Sequence, residues 1–89
     1  MIATLPGSPV REVHDVPERI GRVRLVRVSE RVWRALGADG RILGHLRATG
    51  AGAELRYEAL RFHIRERGFR SAGAFWRPDD AVECLRLSR

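Results

Sequence analysis

Arginine alternates with apolar residues along much of this chain, and this period of two is the feature that most constrains its fold. Arg22-Val23-Arg24-Leu25 begins the first such stretch, and residues 41–48 and 55–62 continue the pattern. A period of two places successive side chains on opposite faces of a β-strand. The alternation therefore predicts strands with one apolar face and one arginine-bearing face.

Turn signals separate these stretches. Asp39-Gly40 lies between apolar segments and favours a hairpin, because both residue types tolerate a positive φ. The small residues 49–53 suit a second hairpin connection, and residues 64–68 close a charged turn with glycine. Residues 69–76 then predict a last strand. The order of strands and short turns indicates an antiparallel sheet.

Two features of the strands are less regular. Residues 31–36 fit a strand or a short helix, and we favour a strand with Trp33 and Ala35 on one face and Arg34 on the other. The alternation breaks at Leu25-Val26 and again after Ala59, and each break predicts a β-bulge.

The C-terminal segment predicts a helix over residues 78–87. Pro78 suits the first helical position, and Asp79 and Asp80 complement the positive end of the helix dipole. An apolar stripe at helical spacing follows, formed by Ala81, Val82, Cys84 and Leu85. A helix of about ten residues is too short to be stable alone, so it should pack on the sheet.

The elements together predict an α+β fold, a small antiparallel sheet of three to five strands with one C-terminal helix packed on one face. The length of 89 residues allows one small domain. Residues 1–18 contain Pro6, Pro9 and Pro17 and no sustained periodicity. We therefore expect a flexible N-terminal arm at 1–18, followed by a single basic β-rich domain over residues 19–89.

Charge narrows the class of partner. The chain carries 17 Lys+Arg, all of them arginine, against 11 Asp+Glu, and its formal net charge is +6. This excess favours polyanions, although a solvated basic surface without a partner is the alternative. No apolar run approaches the ~20 residues of a membrane span. Since Cys84 is the single cysteine, we expect a cytoplasmic protein without membrane association.

Residues that could perform chemistry are scarce. The three histidines and Cys84 lack the close spacing of zinc ligands, so no metal site is expected. Helix capping already explains Asp79-Asp80. Gly50-Ala51-Gly52 lacks the strand-to-helix context of a phosphate-binding loop. These observations predict a non-enzymatic protein with no cofactor.

The arginine-bearing face of the strands is the candidate binding site. If the helix covers one face of the sheet, the other face should display arginines interleaved with His45 and Leu43. Whether Trp33 also lies on this face is left open by the sequence. Arginine binds phosphates through its guanidinium fork, reads guanine in the major groove and stacks on unpaired bases. The predicted nucleic-acid-binding residues are Arg22, Arg24, Arg34, Arg41, His45, Arg47 and Arg56.

The aromatic residues have two interpretations. Four of them fall where strands should face the helix, which predicts core packing for Tyr57, Phe62, Phe69 and Phe75. Trp33 and Trp76 lie beside arginines, and core or rim packing is favoured over base stacking for both.

Three segments follow one another in the order of a known family: Asp39-Gly40-Arg41, Tyr57-Glu58-Ala59 and Phe75-Trp76-Arg77-Pro78-Asp79-Asp80-Ala81. Over residues 41–87 the chain resembles the arm-type, AP2-like DNA-binding domains at the N-terminus of tyrosine recombinases. The resemblance implies three antiparallel strands followed by one helix, with the sheet in the major groove and Arg41, Arg47 and Arg56 nearest the DNA. Arg77 stands where the family usually has a Thr or Ser cap. The 89 residues match no recombinase catalytic domain, so the binding module alone is implied.

These features predict a small accessory or regulatory protein that binds nucleic acid, duplex DNA first, through an arginine-bearing sheet face. The alternative is an interaction subunit or adaptor. It would dock on an acidic protein partner through the same face or through a sheet edge.

Overall fold

Six antiparallel strands and one helix make up the computed structural model, which describes residues 16–87. Each strand pairs with the next one in the chain. The α+β class and the C-terminal helix are confirmed, whereas the predicted three to five strands are too few. The elements are β1 (Arg19–Ile20), β2 (Val23–Ser29), β3 (Val32–Leu36), β4 (Ile42–Thr49), β5 (Arg56–His63), β6 (Gly68–Phe75) and α1 (Pro78–Leu87).

The strand that the sequence pattern did not predict is β1. Ile20 pairs with Val23, so Gly21-Arg22 forms a two-residue turn. Gly21 has a φ of 61°, a conformation that glycine adopts without steric cost at the first position of such a turn. Of the predicted arm at 1–18, residues 1–15 lie outside the described part of the chain. Val16 packs against the core.

The hairpin predicted at Asp39-Gly40 connects β3 to β4. Five residues, 37–41, separate the two strands, so the connection is longer than a two-residue turn. The Gly37 N–H donates to the Arg41 carbonyl oxygen at 2.7 Å. Asp39 Oδ1 accepts a hydrogen bond from the Arg41 N–H at 3.0 Å. Only Gly40 in this loop has a positive φ, of 86°.

The hydrophobic core lies on the face of the sheet that α1 covers. The helix packs on β4, β5 and β6. Gly44 permits the close approach, because a Cβ at this position would lie 2.5 Å from the Leu60 carbonyl oxygen and 2.7 Å from Leu85 Cδ2. The buried residues of the core are Val23, Leu25, Trp33, Ala35, Leu46, Ala48, Leu55, Tyr57, Ala59, Ala81, Val82 and Leu85.

Bulges occur in three strands, and two were predicted at the wrong place. In β2 the unpaired residue is Val28, not the Leu25-Val26 pair, because Arg27 pairs with Trp33 and Ser29 with Val32. The irregularity near Ala59 belongs to β6, where Ala72 has no partner, and β5 itself alternates without interruption.

The third bulge, in β4, explains the position of Leu43. Ala35 pairs with Gly44 and Leu36 with Ile42, so Leu43 is the extra residue of this strand. A bulge lets two successive side chains lie on one face. Leu43 accordingly packs against the core, and its predicted place on the arginine-bearing face is wrong. Trp33 is also buried in the core, with 4% exposure, so it does not lie on that face either.

Candidate nucleic-acid interface

The sheet face opposite α1, which we call the open face, is covered by no described element. Strand register places its residues. Arg24 lies opposite Leu36, Arg34 opposite His45, and Arg47 opposite Glu58. Their neighbours in each strand carry the core, since Leu25, Ala35, Leu46 and Ala59 are buried on the helix side. The period of two therefore separates an arginine-bearing face from a core face in this sheet.

Four arginines cross the open face along a diagonal. The four are Arg24 in β2, Arg34 in β3, Arg47 in β4 and Arg56 in β5. Each lies on the strand next to the previous one and is displaced by two residues along the strand direction. Residues in this relation are about 7–8 Å apart, so the three steps span roughly 20–25 Å. We call Arg24, Arg34, Arg47 and Arg56 the arginine diagonal. All four are exposed.

The arginine diagonal contains one ion pair to a carboxylate within the described residues. Arg47 donates from Nε at 3.1 Å and from Nη2 at 2.6 Å to Glu58 Oε1. Burial raises the pKa of Glu58, but hydrogen bonds from Arg47 and Ser71 and the charge of Arg47 outweigh it, so the pKa lies below its ordinary value. Arg24, Arg34 and Arg56 form no such pair among residues 16–87.

Arg56, at the end of the diagonal, stacks on an indole ring. Its Cζ lies 4.2 Å from the ring centroid of Trp76, just after β6. This cation–π contact holds the guanidinium against an aromatic face while both residues remain exposed. The packing of Trp76 is thus at the rim of the sheet and not in its core.

His45 differs from the arginines beside it. It is half-buried, and its Nδ1 has no hydrogen-bond partner among the described residues. Burial, and then the positive charge of Arg34, lower the pKa of His45 below its ordinary value of 6.5. At neutral pH the ring is therefore uncharged, and it contributes an aromatic surface to the open face instead of a cation.

Two phenylalanines that were predicted to pack in the core lie on the open face instead. Phe62 and Phe69 pair across β5 and β6 and are 54% and 50% exposed. Because β5 alternates without a bulge, Phe62 shares a face with Glu58 and Leu60, not with Tyr57. The ring centroids of Phe62 and Phe69 are 5.4 Å apart at 71°, and those of His45 and Phe69 are 4.8 Å apart at 77°. We call Phe62 and Phe69 the aromatic pair.

Two predicted site residues are not with the others. Arg22 lies in the β1–β2 turn and Arg41 in the β3–β4 loop. Both line a groove of about 650 Å³ that Leu85 of α1 also lines, together with Arg61 and Arg86. The structure thus brings together Arg24, Arg34, His45, Arg47 and Arg56 on the open face and places Arg22 and Arg41 in this separate groove.

Arg19 is an open-face arginine that the sequence pattern missed. It pairs with Arg24 across β1 and β2, and like charges directly opposite each other destabilise a sheet. The signal that could have revealed it is Gly21, since glycine at the first position of a two-residue turn favours a hairpin with flanking strands.

The described residues contain no group of three or more His, Cys, Asp and Glu that could hold a metal ion. Cys84 is half-buried, with its Sγ 3.7 Å from the Ala72 carbonyl oxygen. Within residues 16–87, no helix has the length and apolar character that a membrane span requires. Comparisons with protein-family models, curated proteins and solved structures found no match to this chain.

Proposed function

We propose that this protein is a non-enzymatic nucleic-acid-binding protein with an accessory or regulatory role, and that its ligand lies on the open face. The arginine diagonal is the observation that carries the proposal. The strand positions of the four arginines follow a line in steps of about 7–8 Å, and guanidinium groups bind phosphates bidentately. Three of the four have no carboxylate partner in the described part of the chain, so no described ion pair competes with phosphates for them.

Repulsion between Arg19 and the first arginine of the diagonal also supports a ligand. Arg19 and Arg24 face each other across neighbouring strands, although such like-charge pairs weaken a sheet. A bound polyanion would remove this repulsion, and the net charge of +6 would attract it. Phosphate contacts of this kind give affinity without sequence preference.

The width of the sheet bears on how a duplex would bind. Six strands about 4.8 Å apart span roughly 24 Å, about twice the width of the major groove of B-DNA. The whole open face therefore cannot enter that groove. Duplex DNA would be held by its phosphates across the sheet, with Arg47 and Arg56 among the contacts and Arg41 outside them.

The test is fluorescence anisotropy with a labelled oligonucleotide over a salt series from about 50 to 200 mM. We expect affinity to fall steeply with salt. Arg34→Gln should weaken binding and reduce the slope of log affinity against log salt by about 0.7–0.9, the contribution of one phosphate contact. Arg65→Gln, which removes the same charge from the exposed β5–β6 turn, is the control and should have a smaller effect.

Two results would count against the proposal. One is the absence of binding at the lowest salt concentration. The other is an equal loss of affinity in Arg34→Gln and Arg65→Gln, because net charge alone would then explain attraction to the oligonucleotide.

A second candidate function is docking of a protein partner, and the outer edge of β6 favours it. This eight-residue strand pairs with β5 on one side and with no strand on the other in the described sheet. A partner could add a strand there through main-chain hydrogen bonds. Titration with a polyglutamate peptide tests the acidic-partner form of this function. Binding to the peptide that is as tight as binding to an oligonucleotide of equal charge would favour it over nucleic acid.

A further inference from the structure

We propose that the aromatic pair stacks on the bases of a single-stranded polynucleotide whose backbone follows the arginine diagonal. This inference rests on the proposed function and specifies the form of nucleic acid that the open face selects. It concerns Phe62 and Phe69, which the phosphate contacts do not use.

The exposed position of the aromatic pair is unfavourable for the stability of the fold. Each residue keeps about half of its surface exposed to water, and apolar surface left in water contributes no hydrophobic stabilisation. The two rings meet edge to face, as do Phe69 and His45, so the three rings form one contiguous aromatic cluster. Exposed aromatic rings on an antiparallel sheet are a platform on which unpaired bases stack.

The position of the aromatic pair relative to the arginines fits one nucleotide strand. His45 pairs with Arg34 of the diagonal on one side and with Leu60 on the other. Phe62 is two residues beyond Leu60 in β5. Phosphates held along the diagonal therefore leave bases on the side of the face where His45, Phe62 and Phe69 lie.

Paired bases cannot use this platform. In a duplex each base is stacked between its neighbours, and only its edges are reachable from the grooves. The sheet is also too wide to enter the major groove as a whole. A single strand can lie flat on the open face and present the faces of its bases to Phe62 and Phe69.

A second copy of this chain is a poorer occupant of the same surface. Each copy would bring its own arginine diagonal to the interface, and the described strands contain one acidic residue, Glu58, to oppose those charges. Charge complementarity therefore favours a polyanion with aromatic groups over self-association.

Four probes of equal charge separate these contributions: a single-stranded oligothymidine, an oligouridine, an abasic oligonucleotide and a duplex, each titrated by anisotropy. We expect the oligothymidine and oligouridine to bind about tenfold or more tightly than the abasic strand, because stacking acts on the bases alone. We expect the duplex to bind close to the abasic strand. A further probe, oligodeoxyuridine, differs from oligouridine in the 2′-hydroxyl alone, so the comparison of these two shows whether DNA or RNA is preferred.

Two variants test the aromatic pair directly. Phe62→Leu and Phe69→Leu retain apolar contact but remove the π-face, and each should lower affinity for the single strand about five- to tenfold while leaving abasic binding unchanged. Ile64→Ala, in the adjoining turn and 81% exposed, is the apolar control and should bind like the wild type. A melting temperature for each variant confirms that it is folded.

The outcomes separate this inference from the proposed function. Equal binding of the base-bearing and abasic strands, or tighter binding of the duplex, overturns the inference while phosphate binding stands. No binding of any probe overturns both. Loss of single-strand affinity in the two Phe variants, but not in Ile64→Ala, supports both.

Discussion

At the scale of single residues, His45 shows how the open face affects a titratable group. Burial of the ring and the adjacent Arg34 both disfavour the imidazolium, so its pKa in the folded protein lies below 6.5. The unfolded chain therefore binds a proton at a higher pH than the folded protein does. The contribution of His45 to the free energy of unfolding is therefore fully present above about pH 6.5 and is lost as the pH falls below that value.

The lowered pKa of His45 predicts that the protein loses stability in mild acid. We expect the free energy of unfolding, measured by urea denaturation, to decrease between about pH 7 and pH 5. His45→Leu should remove most of this decrease, because no titratable group remains at the position. It should also be at least as stable as the wild type at pH 7, since it replaces a buried Nδ1 that has no partner among the described residues.

His63→Gln is the control, because His63 is exposed at the end of β5. This variant should keep the loss of stability in acid. A pH dependence that is unchanged in His45→Leu would show that another group is responsible. The pKa of Glu58 is also lowered, but its contribution is lost only as the pH falls below about 4.5, outside this window.

At the scale of elements, α1 packs on the sheet through Ala81, Val82 and Leu85, and Leu85 is the helix side chain that approaches Gly44. Leu85 is 2% exposed, and Leu87, two residues later on the same helix, is 66% exposed. Leu85→Ala should lower the free energy of unfolding by about 2–4 kcal/mol, through lost burial and the cavity that remains.

Leu87→Ala is the matched control, and we expect it to change stability by less than about 0.5 kcal/mol. Urea denaturation of both variants measures the difference. Similar effects at the two positions would mean that α1 does not pack on β4 through Leu85.

The contrast between elements shows what alternation and turn signals can predict. Local spacing in the sequence was enough to predict the end residues of α1 and the strand character of β3. It was also enough to place Trp33 on the buried face of β3 and Arg34 on the exposed face. The places of Leu43, Phe62 and Phe69 do not follow from local spacing, because each depends on which of two paired strands contains a bulge. An unpaired residue in β6 leaves β5 regular, whereas one in β5 would have turned Phe62 toward the helix.

For the candidate site, the sequence likewise predicted the face on which most of the arginines lie but not how they are arranged across the sheet. Alternation within a strand puts Arg24, Arg34, Arg47 and Arg56 on one type of face, but their diagonal order depends on the register between strands. Arg22 and Arg41 were misplaced because they lie in a turn and a loop, where alternation no longer determines direction. The Asp39-Gly40 turn could be recognised in the sequence, whereas the Gly21-Arg22 turn and the registers between strands were not.

At the scale of the whole molecule, the distribution of charge matters more than its sum. Glu58 is the one acidic residue in the described strands, and its carboxylate occupies Arg47 in the middle of the arginine diagonal. The side chain of Arg47 is 50% exposed, so water screens the pair and its contribution to stability is at most about 1 kcal/mol. A phosphate that approaches Arg47 meets the competing carboxylate, and we infer that Glu58 limits affinity for polyanions.

Glu58→Gln tests this balance, because it removes the negative charge and frees the guanidinium of Arg47. We expect single-strand affinity at about 100 mM salt to rise several-fold and the salt slope to steepen by about 0.7, as one further phosphate contact forms. Glu66→Gln breaks the exposed pair with Arg70, at 3.3 Å, and makes the same change in net charge away from the diagonal. Equal gains in the two variants would attribute the effect to net charge. A larger gain in Glu58→Gln locates the polyanion on the open face, because a distant charge is screened over about 10 Å in 0.1 M salt and a neighbouring one is not.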